Sequence, residues 1–163
     1  MNRQGIVVAA ALLAAACASY DGRGLRPGVD GAREVRALMG PPDEIWQEAD
    51  GGSTWSYPRG PLGRQAYMVQ LGADGRLKSI RQVLNEETFA RIVNGKTTRD
   101  EVRRLLGRPA EERFLPRKRE TVWDYRYLDL GQPYIFRIGF TEAGVVTDSV
   151  RIPEINDGDR DFR

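Results

Sequence analysis

The chain has 163 residues, 40% of them hydrophobic and 29% charged, with three tryptophans to bury, which is the balance of a folded chain with room for one ordinary domain or two small ones. Lys and Arg number 25 against 23 Asp and Glu, a surplus too small to point to nucleic acid. There is no histidine, which removes the commonest general base, the commonest zinc ligand and the usual partner of a catalytic serine or cysteine. No catalytic residue, metal site or cofactor is expected, and the chain reads as non-enzymatic.

In chain order, Arg3 and the amino terminus precede an apolar run from Ile6 to Ala16, too short to span a bilayer as a helix. Residues 1–16 therefore read as a signal peptide. The stretch Leu12 to Cys17 resembles a bacterial lipobox, which implies cleavage before Cys17 and acylation of its thiol. Ala18 after it, by resemblance to Gram-negative sorting, implies the periplasmic face of the outer membrane. Residues 17–31 follow as the lipidated cysteine and a glycine-rich flexible tether.

A short helix is predicted between Asp30 and Gly40, its stripe formed by Ala32, Val35 and Leu38–Met39. Strands follow over Ser53–Tyr57, Ala66–Leu71 and Leu77–Val83. A leading amphipathic segment over Glu86–Val93 comes next. It precedes a second helix opened by the capping box Thr98/Glu101, with Val102, Leu105 and Leu106 as its buried stripe. Strands over Glu111–Leu115, Thr121–Tyr127, Tyr134–Phe140 and Val145–Ile152 complete the pattern, before a polar tail from residue 153 to 163.

Much of this order is written twice. Gly28, Val35, Leu38, Gly40 and Pro42 recur 67 positions later as Gly95, Val102, Leu105, Gly107 and Pro109. With one-residue slips, Glu44, Trp46, Trp55 and Tyr57 align with Glu112, Phe114, Trp123 and Tyr125, and Leu71 and Gly75 with Phe140 and Gly144. The expected fold is α+β: two tandem units, 32–84 and 85–152, each of one or two short helices on a three- to four-stranded antiparallel sheet. The doubled aromatic pairs, Trp55/Tyr57 and Trp123/Tyr125, read as core.

Signal and lipobox, then the Gly…Val-x-x-Leu-x-Gly-x-Pro run, then Trp-x-Tyr and apolar strands, resemble the SmpA/OmlA (BamE-like) lipoproteins. The second unit matches best through Gly95–Thr98 and Glu101–Val102. The resemblance implies a helix-pair-on-sheet domain and an accessory role in the machinery that assembles outer-membrane β-barrels. A tandem of such units also resembles the β-lactamase inhibitor proteins, an alternative that expects exposed aromatics on the sheet faces.

One surface feature stands out. Between Arg99 and Arg119 lie eight basic residues against four acidic ones. Arg99, Arg103, Arg108, Arg113, Arg117, Lys118 and Arg119 are the candidate contacts to a partner protein or anionic lipid headgroups, with Arg117–Arg119 at a hairpin tip after Pro116. The plain counter-reading is a solvated face with intrahelical pairs such as Asp100–Arg104.

Overall fold

The computed structural model describes residues 20–60 and 62–154. The signal segment, Cys17 and the tail beyond residue 154 lie outside the described residues. The chain is α+β with two antiparallel four-stranded sheets. Helix α1 (Ala32–Met39) precedes β1 (Glu44–Gln47), β2 (Ser53–Pro58), β3 (Ala66–Leu71) and β4 (Leu77–Gln82), paired in that order. Helices α2 (Glu86–Phe89) and α3 (Arg99–Leu106) lead to β5 (Glu111–Leu115), β6 (Glu120–Asp129), β7 (Gln132–Phe140) and β8 (Val146–Pro153), again a simple meander. Each strand follows the last by a short connection, so every sheet pair is antiparallel and local in sequence.

The alternation along β2 and β3 divides the first sheet into two buried faces. Trp55, Tyr57, Tyr67, Val69 and Leu71 pack with Val35 and Met39 of α1. Ala66 and Met68 point the other way and join Phe89, Val102 and Leu106 and the inner face of the second sheet. The molecule is therefore layered as α1, first sheet, α2–α3, second sheet, and its larger core spans both halves of the sequence. The near-continuous burial of β3 follows from this sandwiching, since a sheet covered on both faces loses its polar side.

Residues 67 to 69 apart occupy matching posts. Gly40 and Gly107 end α1 and α3 with φ of 84° and 77°. Their carbonyls accept the Tyr57 and Tyr125 hydroxyls at 3.2 and 2.9 Å. The Gly28 and Gly95 amides donate to the Leu77 and Val146 carbonyls, both at 2.8 Å. Glu34 and Glu101 each reach back to the residue that opens their helix, at 3.0 and 2.7 Å. These bonds hold each helix end against a strand end, which is why short helices persist here.

Four expectations change. Residues 20–31 are not a free tether: Gly31 bridges Arg76, Leu77 donates to the Asp30 carbonyl, and Leu25 packs on the first core. Backbone pairing with β4 fixes this glycine-rich stretch where the second half has α2. A fourth strand, β1, joins the first sheet. Register then places Glu44 opposite Ser56 and Glu111 opposite Asp124, so Trp46 corresponds to Arg113 and the one-residue slip falls in the β1–β2 turn. Finally, Leu106 is fully buried whereas Leu105 is only partly so, because α3 turns Leu105 toward a cleft beside the first sheet.

Gly107 sits where the layers come closest. A Cβ there lies 2.6 Å from Ser56 Oγ, whereas one on Gly40 meets nothing within 4 Å. Gly40→Ala is expected to cost about 1–3 kcal/mol from its backbone alone, since φ 84° with ψ −169° is a region essentially confined to glycine. Gly107→Ala is expected to cost more, by the overpacking it adds; equal shifts in urea midpoint show that the two layers are not in contact there. Burial also pushes the Tyr57 hydroxyl up to about 12 and raises Tyr125 further. A raised folded value favours the protonated form, so this stabilisation is complete below about pH 10 and declines above it. The denaturation midpoint is expected to fall as pH rises past 10, and a flat alkaline profile contradicts the burial of both hydroxyls.

Candidate functional site

The basic run from Arg99 to Arg119 does not form one patch. The second layer of helices presses α3 against the first sheet, and the segment from Asp43 to Glu48 supplies acids where α3 supplies arginines. Arg103 meets Glu44 at 2.9 Å, Arg108 meets Asp43 at 3.5 Å and Arg104 meets Glu48 at 3.8 Å. These pairs bridge the two sheets' units, and the expected Asp100–Arg104 pair gives way to the Glu48 contact. Arg103 is also drawn over the Trp123 ring at 5.8 Å, as Arg36 is over Trp55 at 4.6 Å. Each surface-exposed pair contributes about 1 kcal/mol or less, so together they orient the layers more than they stabilise them.

The remaining cations separate further. Arg99 lies against Trp123 and Phe140, at 6.0 and 5.5 Å from the ring centres. Arg113 reaches Asp124 at 2.9 Å and Glu111 at 3.1 Å. Arg119, at the end of the β5–β6 turn, makes two 2.8 Å bonds to Glu142. Arg117 and Lys118 alone keep the disposition expected of them: exposed at the β5–β6 tip and without an ion pair among the described residues. Cys17 lies outside the described residues.

Two features were not legible as sites in the sequence. The first is a cleft of about 510 Å³ where the α2–α3 layer leaves part of the first sheet uncovered. Its floor is Thr54, Met68 and Gln70, and its rim holds Trp46, Arg81, Arg91 and Arg104. A neighbouring opening of about 410 Å³ shares Trp46 and Arg104 and continues to Arg99 and Trp123. Glu48 and Glu87 line the first cleft as well, so its walls carry both signs of charge and suit a polar segment with an apolar side chain.

The second is Asp124, only 4% exposed on the outward face of the second sheet. Arg137 holds it through two 2.7 Å bonds and Arg113 through a third at 2.9 Å. The sequence signal was a charge flanked by two core aromatics, at the position where the first unit has Ser56. The aromatics themselves, Trp55, Tyr57, Trp123 and Tyr125, are all buried, so none of the four offers a binding platform. Among the described residues no group of three potential metal ligands converges, and no helix is long and apolar enough to cross a membrane.

Compared with known proteins, the chain matches no family model, no curated protein and no solved structure.

Asp124→Ala is expected to destabilise the chain by about 2–3 kcal/mol, below the figure for a wholly buried pair because both arginines are partly exposed. The Arg113→Ala change alone is expected to cost less, since Arg137 still satisfies the carboxylate. A denaturation series in which the two variants are equal contradicts that ranking.

Proposed function

We propose that this chain is two tandem BamE-like units carried on a lipidated Cys17 at the periplasmic face of the outer membrane. It acts without catalysis, as an accessory or scaffolding subunit in β-barrel assembly or envelope integrity, through contacts to assembly-machinery subunits and to anionic lipid headgroups. The observation that carries the reading is the doubled frame. The residues on which the resemblance rests, the helix-ending Gly40 and Gly107 and the strand aromatics Tyr57 and Tyr125, make the same hydrogen bond in both halves. Such a frame builds a rigid scaffold and leaves recognition to what differs between the halves. Arg117 and Lys118, which the first half lacks, are the contacts to test first. The inhibitor-like alternative is less well supported, because the four aromatics it needs on open sheet faces are buried.

Crosslinking in intact outer membranes followed by purification is expected to recover barrel-assembly subunits; recovery of a hydrolase instead favours the inhibitor reading. Cys17→Ser is expected to move the protein out of the membrane fraction, and persistence there contradicts the anchor. Reversing Arg117 and Lys118 to glutamate is expected to reduce partner recovery, with the loss largest at low salt. Equal recovery at low salt removes this tip from the interface.

A further inference from the structure

We propose that the β6–β7 hairpin tip, with Leu130 at its apex, seats in the interface of the bilayer to which Cys17 tethers the chain. The Arg117–Lys118 tip then faces away from that bilayer, toward protein. The inference rests on the lipid-anchor reading above and adds where the bilayer meets the fold.

The hairpin tip is built against its own stability. Asp129 pairs with Gln132, leaving Leu130 and Gly131 as a two-residue connection with φ of 48° and 81°. Two positive φ values in a row define the tight turn that favours Asn, Asp or Gly at its first position. Among the described residues, Arg119 and Leu130 are the non-glycines with positive φ. Arg119 has Glu142 to hold it. Leu130 is 97% exposed, so a branched apolar side chain occupies a position unfavourable for both its backbone and its hydration. A contact outside the chain gives that leucine its use.

Its neighbours add further exposed leucines, while the arginines nearby are paired, Arg151 with Asp129, and Arg126 and Arg64 with Glu154. Leu128 on the same hairpin is 48% exposed, and Leu62, in the loop after β2, is 77% exposed. That loop is tied to the hairpin through Glu154, which pairs with Arg64 at 2.9 Å and Arg126 at 3.2 Å. The Glu154 amide donates to the carbonyl of Pro133, the residue opposite Leu128.

The described chain begins beside the same β2–β3 loop that carries Leu62, level with the middle of β6, where the Ala110 amide donates to the Asp124 carbonyl. The Tyr20 ring lies under the Arg59 guanidinium at 4.1 Å, and Tyr20 shares a cleft with Pro58, Arg108 and Ala110. Cys17 precedes Tyr20 by three residues, a tether of at most about 11 Å of extended chain. Exposed leucines with arginines whose charge is neutralised by neighbouring carboxylates suit seating at a bilayer interface, where unpaired charge is costly.

The opposite tip is thereby excluded from the headgroups. Strand β6 has ten residues, and Arg117–Lys118 lie beyond its start while Leu130 follows its end. At about 3.3 Å per residue the two tips stand roughly 30 Å apart, several Debye lengths at physiological salt.

The test uses the full, lipid-modified protein in phosphatidylethanolamine–phosphatidylglycerol vesicles that carry doxyl-quencher acyl chains. Leu130→Cys, Leu62→Cys and Arg117→Cys are each labelled with an environment-sensitive fluorophore. Quenching at positions 130 and 62 is expected to exceed that at 117 several-fold, with blue-shifted emission. One label per chain with position 130 no more quenched than 117 overturns the seating of the tip. Two labels per chain reveal a free Cys17 thiol, which overturns the anchor reading and the tether argument with it.

Discussion

Gly107 is held on three sides, and the arrangement of the layers depends on it. Its left-handed backbone ends α3, its carbonyl accepts the buried Tyr125 hydroxyl of the second sheet, and its missing side chain admits Ser56 of the first. A side chain at this point meets Ser56 Oγ at 2.6 Å and the Met68 methyl at 3.4 Å, so those two side chains must turn aside. They do so in close-packed surroundings that Leu106 and the aromatic cluster around Phe89 share. The counterpart glycine, Gly40, makes the same turn and accepts the same kind of bond, but it has no second sheet beyond it.

The charge distribution follows from this layering. An arginine-rich helix packed over a carboxylate-bearing edge strand neutralises itself, so Arg103, Arg104 and Arg108 became part of the scaffold. Among the described residues, no helix layer covers the outward face of the second sheet. There Asp124 and its two arginines occupy the middle of the sheet, where the first sheet has Ser56 against Gly107. The same strand position thus carries a small residue where a layer packs on it and a satisfied charge where solvent does.

The free features sit at the two ends of β6. Among the described residues, one end carries Arg117 and Lys118 without an ion pair; the other carries the exposed Leu130 on a turn of positive φ. A long two-stranded ribbon is a spacer, and it sets these two unlike chemistries about ten residues apart.

Read without coordinates, the chain declared its helix stops, its turn glycines and seven of its eight strands, because these depend on local backbone preferences and on a period of two or 3.6 residues. It also declared that Trp55, Tyr57, Trp123 and Tyr125 are core, since recurrence in both halves marks framework. The short edge strand β1 escaped notice because four residues between a Pro-Pro stop and an Asp-Gly-Gly turn carry too little periodicity. The glycine-rich stretch from residue 20 to 31 looked free because its partners in β4 lie some fifty residues away. The fate of each arginine was equally invisible: spacing on a helix shows which residues share a face, but not what faces them. Local chemistry determined the elements and their order, and only tertiary packing decided which charges were satisfied and which ends remained open, because pairing between distant segments depends on how whole layers stack.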